Sequence, residues 1–233
     1  MVPRLSGPKM GAVTATSQEL EPAPVSLADR AYAAIQDLLI MLDIPPMAPI
    51  DDGALSESLG IGRTPVREAL KRLQAERLVV SYPRRGTFAT GVDITDLAYI
   101  SEIRVQLEPL AARRAAQTAD RGIRGKLAEL ADEIEALDVT AIDRTDLMRW
   151  DLRVHRGIYR AAGNPHLEDT LIRYNNLATR IFCLFLDRMT HFDQHVGEHV
   201  ALLRGIADGD VAKVGKLARE HVLGFEKAIR SAT

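Results

Sequence analysis

The chain has 233 residues, of which 46% are hydrophobic and 27% charged, and its formal net charge is -2. This length suffices for one large domain or two modest ones, and the near-neutral total means that any nucleic-acid binding must arise from local charge. A single cysteine excludes an intramolecular disulfide framework, and no apolar run is long enough to span a bilayer, so we expect a cytoplasmic protein without membrane segments.

The first 25 residues carry too few apolar side chains to form a core. Prolines and glycines interrupt them repeatedly, and the burial of so few apolar side chains cannot offset the conformational entropy lost on ordering. We therefore predict a disordered tail over residues 1–25. Ser26 is a typical N-cap residue, and apolar side chains recur after it at helical spacing until Pro45-Pro46. The first helix is predicted to end near Leu42.

Two short helical segments then meet at a glycine-marked turn, Leu59-Gly60-Ile61-Gly62. Asp51 or Asp52 can cap the first segment. Thr64-Pro65 suits the first turn of the second, because an amide is unpaired there in any case. This third helix is predicted to run to about Glu76.

A small wing is predicted after these helices. Residues 78–80 and 86–89 are β-prone and flank a Pro-Arg-Arg-Gly turn, which indicates two antiparallel strands. Three helices and a two-stranded wing predict a winged helix-turn-helix domain over residues 26–92.

Basic charge is concentrated between Arg63 and Arg85, where only two glutamates oppose it. Four of the basic residues lie along one side of the third helix, as expected of a helix that reads DNA. The alternative is a solvated helix face without a partner; the helix-turn-helix spacing, the proline start and the adjacent basic hairpin favour DNA. The basic residues are Arg63, Arg67, Lys71, Arg72, Arg77, Arg84 and Arg85.

Residues 93–233 lose the strand signals and are predicted to form an all-α domain. Asp, Gly or Pro separates the helical segments, and a break inside residues 166–189 would be hard to see, so six or seven helices are compatible with the pattern. The fold class is therefore mainly α, with an N-terminal winged helix-turn-helix and a C-terminal helical bundle. The predicted helices are 94–118, 121–138, 143–162, 166–189, 191–207 and 210–230.

Polar side chains interrupt the apolar faces of three of these helices. Asp151 and His155 are four residues apart on one face, so their side chains lie one above the other. His199, with His195 one turn earlier, interrupts the next-to-last helix, and His221 interrupts the last. One histidine on an apolar face is more often a core residue than a ligand. Three such helices favour a divalent cation that compensates the buried groups together.

The sequence from Leu59 to Leu70, LGIGRTPVREAL, resembles the recognition signature of GntR-type bacterial transcription regulators. Residues 102–111, 151–155 and 163–165 resemble the FadR-like branch, which carries a C-terminal FCD ligand domain. The similarity covers about residues 27–230. It implies a ligand-responsive repressor whose homodimer binds an inverted-repeat operator in double-stranded DNA.

The resemblance also implies how DNA is read. Arg63 and Arg67 would reach guanine edges in the major groove, where bidentate contact to O6 and N7 is the commonest specific pairing. Thr64 would add a phosphate or base contact, and Lys71 continues the basic side of the helix. The wing tip, Arg85-Gly86, would probe the minor groove, where glycine lets the backbone come close.

Two positions depart from the family pattern. Gly62 stands where the family usually has serine or threonine, so a cap hydroxyl that could also bind phosphate is missing. Gly53 stands where the fatty-acid-responsive regulator has arginine, so that phosphate contact is not expected here.

An aspartate with three histidines resembles the metal site of many FCD domains. The resemblance implies zinc as the first candidate, with nickel or manganese also suited to nitrogen and oxygen ligands, and open positions for water or a carboxylate. His195 competes with His199 on spacing alone, and the Glu198-His199 pattern favours His199. His166 and His191 are expected at the surface or at helix ends. The implied ligands are Asp151, His155, His199 and His221.

Arg104 projects inward, where a guanidinium needs an anionic partner. Its neighbour one turn later, Glu108, could be that partner, but the resemblance to FCD domains favours the carboxylate of a small organic acid. Asn176 and Arg180 are predicted to line the same effector pocket.

Two rival interpretations remain open from the sequence. The Asp and His groups could activate water in a metal-dependent hydrolase, although no general base is evident and the recognition helix would then be unexplained. Alternatively, the chain is a regulator whose metal is purely structural.

Overall fold

The computed structural model describes residues 25–139, 141–189 and 192–232. The predicted tail lies outside these residues except for Val25, and His191 also lies outside them. Within the described chain, the mainly helical fold class is confirmed, with a small sheet in the N-terminal part.

The N-terminal part begins with α1 (Leu27–Ile40), whose N-cap is Ser26; its Oγ accepts from the Asp29 backbone N–H at 3.0 Å. Helix α2 (Asp52–Leu59) is capped by Asp51 rather than Asp52, and it ends at Gly60, which has φ 61°. This left-handed conformation is accessible to glycine at little cost, so it produces the sharp turn into α3 (Arg63–Ala75).

The sheet has three antiparallel strands rather than the two predicted. Strands β2 (Val79–Tyr82) and β3 (Gly86–Ala89) form the wing hairpin, and β1 (Pro49–Ile50) pairs with the other side of β3. The prediction missed β1 because two residues cannot show the alternation of a strand. Its proline occupies the first strand position, where the missing amide is tolerated.

Six α-helices form the C-terminal part of the described chain. They are α4 (Asp96–Thr118), α5 (Arg121–Glu135), α6 (Arg144–Ala161), α7 (Pro165–Cys183), α8 (Phe192–Asp208) and α9 (Val211–Ala232). The predicted segment 166–189 divides: α7 ends at Cys183, and a short 3-10 turn, Leu186–Arg188, follows it.

Helix α4 is the centre of the bundle and packs against α6, α7, α8 and α9. It therefore brings together the inward faces of α6, α8 and α9, which carry the polar residues singled out in the sequence. Helix α1 packs on α3 and also on α7, so the buried apolar side chains of both parts form one continuous cluster. No described helix is long and apolar enough to cross a membrane.

Candidate functional site

The exposed side of α3 carries the basic residues predicted to read DNA. Val66, Ala69, Leu70 and Leu73 are buried on the opposite side of the helix, which fixes the direction of its exposed side. The residues on that exposed side are Arg63, Thr64, Arg67 and Lys71.

The wing lies beside this face. Its turn places Arg84 at φ 62° and Gly86 at φ 96°, and both are exposed together with Arg85. A cleft of about 710 Å³ separates the wing from α3; Arg67 and Lys71 line one side, and wing residues, Gly86 among them, line the other. The predicted DNA-reading residues of α3 and the wing tip therefore face the same side of the molecule.

The cluster predicted in the C-terminal part converges on one point. His155 Nε2 lies 3.4 Å from His199 Nε2 and 3.3 Å from His221 Nε2. Asp151 Oδ1 lies 3.8 Å from His155 Nε2 and 3.6 Å from His199 Nε2. All four residues are buried, and their donor atoms lie within 4.8 Å of one another.

An acceptor faces Nδ1 of each of these three histidines. Nδ1 of His155 lies 3.0 Å from the Tyr159 hydroxyl oxygen and 3.3 Å from Glu108 Oε2, and Nδ1 of His221 lies 3.0 Å from Glu198 Oε2. Nδ1 of His199 lies 3.2 Å from the carbonyl oxygen of Val196. These acceptors favour protonation at Nδ1, which leaves each Nε2 lone pair directed at the common point.

Electrostatics keep Asp151, His199 and His221 in the protonation states that metal ligands need. Burial lowers the pKa of His199 to about 3 and that of His221 well below its usual value, so both imidazoles are neutral near pH 7. Burial acts to raise the pKa of Asp151, but the nearby histidines, His155 first, bring it below its usual value. A neutral imidazole and an ionised carboxylate are the forms that bind a cation.

His195 lies beside the cluster. Its ring stacks on His221 at 4.1 Å between centroids, its Nε2 is 3.7 Å from Asp151 Oδ1, and its Nδ1 is 3.5 Å from Glu198 Oε2. His199 has the more central position, since its Nε2 lies 3.4 Å from His155 Nε2 and within 4.8 Å of the other donor atoms of the cluster. His166, at the start of α7, is exposed.

Arg104 is buried and pairs with Glu108: its Nε donates to Glu108 Oε1 at 2.6 Å. Glu108 thus contacts both Arg104 and His155. Burial acts to raise the pKa of Glu108, but Arg104 first and then His155 lower it to about 2. Of the two partners considered for Arg104, the structure contains the glutamate.

Arg180, which was predicted to line the effector pocket, donates three hydrogen bonds to residues of the N-terminal part. Its Nε donates to the carbonyl of Leu39 at 3.1 Å, its Nη1 to Thr90 Oγ1 at 2.6 Å, and its Nη2 to the Thr90 carbonyl at 2.8 Å. These bonds join α7 to the end of α1 and to the residue after β3. Arg180 therefore connects the N-terminal and C-terminal parts, and its role in effector binding stays a prediction.

A second junction starts beside the cluster. Arg156, which follows His155 in α6, donates to Gln36 Oε1 at 3.1 Å and to Asn176 Oδ1 at 3.5 Å. Gln36 Nε2 in turn donates to Glu76 Oε2 at 3.0 Å, directly after α3. A chain of hydrogen bonds therefore links α6 to the end of the recognition helix.

The sequence interpretation missed the residues that support the cluster and the junction. Glu108 was considered only as a partner of Arg104, and Glu198 only as part of a motif. Arg156 and Gln36 are 120 residues apart along the chain, so no local pattern connects them. The one available signal was Gln36 itself, a polar residue on the inward face of α1 that needs a buried hydrogen-bond partner.

Two family matches divide the chain at the same place as the architecture. Residues 27–89 match the bacterial regulatory proteins of the gntR family, and residues 99–224 match the FCD domain. An uncharacterized HTH-type transcriptional regulator of Agrobacterium vitis, in the TAR-I ttuE-ttuC' intergenic region, is 34% identical over 158 residues, which are 66% of this chain and 85% of that protein.

The galactonate operon transcriptional repressor of Escherichia coli is 25% identical over 212 residues, covering 81% of this chain and 91% of the repressor. The solved structure of E. coli McbR/YncC has the same fold, with a TM-score of 0.77 at 20% identity over 89% of this chain and 99% of that one. With a winged helix-turn-helix ahead of an FCD domain, the chain belongs to the GntR family of bacterial DNA-binding transcription regulators, which are not enzymes.

Proposed function

We propose that the chain is a ligand-responsive repressor that acts in the bacterial cytoplasm. It binds an inverted-repeat operator as a homodimer, and a small organic acid bound at a metal in the C-terminal domain changes its affinity for DNA. The observation that carries this proposal is the convergence of three buried Nε2 atoms and one buried carboxylate oxygen.

For DNA, we propose that Arg63 and Arg67 read guanine edges while Thr64 and Lys71 contact the operator nearby. Arg85-Gly86 at the wing tip enters the minor groove. The support is that these residues are exposed, while Val66, Ala69, Leu70 and Leu73 on the opposite side of α3 are buried and the helix packs on α1.

For the metal, we propose Asp151, His155, His199 and His221 as ligands, and the donor set fits a cation. The buried Asp151 Oδ1 has no hydrogen-bond partner within the described residues, so this oxygen can still take a cation. Ligand atoms about 2.0–2.2 Å from a tetrahedral zinc are about 3.3–3.6 Å apart. Four of the six separations between these donor atoms are 3.3 to 3.8 Å, close to this range, and all six are within 4.8 Å. Zinc is the first candidate, and nickel or manganese suits the same donors.

For the effector, we propose a small carboxylate. The metal would offer it open coordination positions, and Arg104 and Asn176 would contact it. Arg104 is close enough to lower the pKa of Asp151, and the buried Asn176 Nδ2 has no hydrogen-bond partner in the described part of the chain. The similar repressor of the galactonate operon supports this class of ligand, because galactonate is a small carboxylate.

For coupling, we propose that a movement of α6 changes the position of the recognition helix. Arg156 directly follows His155, and Gln36 connects it to Glu76 at the end of α3. Effector binding and DNA binding would then alter one another by the same factor, as thermodynamic linkage requires.

Metal analysis of the purified protein tests the site. We expect one equivalent of metal per chain, and loss of most of it in His199→Ala. The control is His166→Ala, an exposed histidine on α7, which should keep its metal. Equal metal content in both variants would contradict the ligand assignment.

Binding to a DNA duplex selected from a random pool tests the response. We expect the affinity to change when the metal is removed by a chelator and again when galactonate or a similar small carboxylate is added to the metal-loaded protein. If chelation melts the C-terminal domain and no carboxylate alters DNA binding, the metal is structural.

A further inference from the structure

The two arginines proposed to read bases both lie against the first residues of α2. Arg67 forms an ion pair from its Nε to Asp52 Oδ2. The Arg63 guanidinium lies over Gly53, where an added Cβ would be 2.5 Å from Nη2 and 3.2 Å from Cζ. The start of α2 is itself fixed, because Asp51 accepts hydrogen bonds from the backbone N–H groups of Gly53 and Ala54 at 2.7 and 3.2 Å.

The contact with Asp52 leaves a particular part of Arg67 available. A guanidinium has five N–H donors in a rigid, planar fork. Asp52 occupies the Nε edge, so the two terminal nitrogens remain for the paired acceptors O6 and N7 of a guanine. The aspartate thus selects an end-on presentation of the arginine before DNA arrives.

Gly53 has the corresponding role for Arg63. A side chain at this position would occupy the space that the guanidinium now fills. Besides removing the phosphate contact that an arginine would make, glycine at position 53 leaves the space in which the Arg63 guanidinium lies.

We propose that Asp52 and Gly53 are positioning residues that set the base specificity of this regulator: Asp52 orients Arg67 toward one guanine, and Gly53 gives Arg63 the space to address another. The proposal rests on the proposed function, in which Arg63 and Arg67 contact bases.

The role of Asp52 is separable from folding. The Arg67 side chain is 62% exposed, so solvent screens the ion pair and its loss should hardly affect stability. The carboxylate also repels DNA phosphates, which weakens binding to every sequence alike. Removal of its charge should therefore strengthen non-specific binding and weaken discrimination, two changes of opposite sign.

The test uses a duplex that the unaltered protein selects from a random pool, a set in which each G·C pair of that duplex is replaced in turn, and an unrelated duplex of equal length. All dissociation constants are measured at one salt concentration. For Asp52→Asn we expect binding to the unrelated duplex to tighten about threefold. We expect discrimination at one G·C pair of each half-site to fall by on the order of tenfold.

Glu57→Gln is the matched control, because Glu57 is an exposed acid on the same helix and forms no ion pair with Arg67. It should tighten binding to all duplexes equally. Gly53→Ala is the second variant; it should lose discrimination at a different G·C pair from the one affected by Asp52→Asn. Circular dichroism should match the unaltered protein for all three variants, and the melting temperature should match for Asp52→Asn and Glu57→Gln.

The proposal is overturned if Asp52→Asn behaves like Glu57→Gln, or if it sharpens discrimination, which would make Asp52 a competitor of DNA. It is also overturned if Asp52→Asn and Gly53→Ala affect the same base pair. Arg67→Ala separates failure of the proposed function from failure of the positioning role. If Arg67→Ala leaves discrimination intact, Arg67 does not read a base. If Arg67→Ala abolishes discrimination and neither Asp52→Asn nor Gly53→Ala reduces it, only the positioning role fails.

Discussion

At the scale of single residues, Glu198 determines how one histidine presents its ring. Its Oε2 lies 3.0 Å from His221 Nδ1, although the Glu198 side chain is 55% exposed. A carboxylate in this position fixes the tautomer and ring orientation of a metal-binding histidine without contacting the metal. At the proposed metal site, Glu198 would therefore act on metal affinity from the surface of the protein.

We predict that Glu198→Gln weakens metal binding by about 10- to 100-fold, the usual effect of losing such a partner. The measurement is competition with a chromogenic chelator. Glu220→Gln is the control, since Glu220 is a nearby acid on α9 whose ion pair is with Lys216. Equal affinities in the two variants would exclude the orienting role.

The same histidines predict how the metal-free protein responds to acid. The pKa of His199 is lowered to about 3, and that of His221 is also lowered, whereas both would titrate near their usual value in the unfolded chain. The unfolded state therefore binds more protons below about pH 6.5, and stability must fall as pH falls.

For protein kept in chelator, we expect the free energy of unfolding of the C-terminal part to fall by about 1.4 kcal/mol per pH unit for each of the two histidines below pH 6.5. Denaturant titrations between pH 7.5 and 5 measure it. A His221→Gln variant should show a shallower dependence. An unchanged slope would mean that His221 does not titrate on unfolding.

At the scale of elements, the turn between α2 and α3 fixes the direction of the recognition helix. Gly60 ends α2 at φ 61°, and its N–H bonds to the carbonyl of Glu57 at 3.2 Å. The conformation, rather than space, restricts this position, because an added Cβ would meet nothing within 4 Å.

We predict that Gly60→Ala lowers the free energy of unfolding of the N-terminal part by about 1 kcal/mol, the cost of a left-handed conformation with a side chain. Gly125→Ala is the matched comparison, for which we expect the free energy of unfolding to change in the opposite direction. Gly125 is exposed inside α5 with a negative φ and open space, so alanine should stabilise by about 0.5–1 kcal/mol. Equal signs for the two variants in thermal melts would contradict this account.

At the scale of the whole molecule, Arg180 joins the two parts of the chain. Its side chain is 1% exposed and satisfies two carbonyl oxygens and a hydroxyl, which belong to Leu39 and Thr90. Burial lowers the pKa of Arg180 to about 10, so it remains charged at neutral pH. The junction thus depends on one buried cation held by neutral acceptors.

We predict that Arg180→Met loosens this junction, because it leaves these acceptors buried without donors, at about 1–3 kcal/mol each before the relief of charge burial. Hydrogen exchange should speed up around Leu39 and Thr90, and metal content should not change. Arg160→Met, at an exposed position on α6, should have neither effect. If exchange at the junction stays slow in Arg180→Met, packing of α1 on α7 alone holds the two parts together.

Much of this architecture is visible in the sequence because it depends on local patterns. The helices follow from apolar spacing and from caps such as Ser26 and Asp51, and the recognition helix follows from its glycine turn and proline start. The spacing of Asp151 and His155 places both on one helix face, since four residues make about one turn.

Tertiary structure decided what those faces meet. His199 and His221 approach His155 only because α4 holds α6, α8 and α9 around one centre. Arg180 was assigned to an effector pocket from its helix position, yet its hydrogen bonds reach residues 90 and 141 positions away in the chain. Helical periodicity specifies which side chains turn inward, whereas the partner that satisfies a buried charge depends on packing between distant segments, which no local pattern encodes.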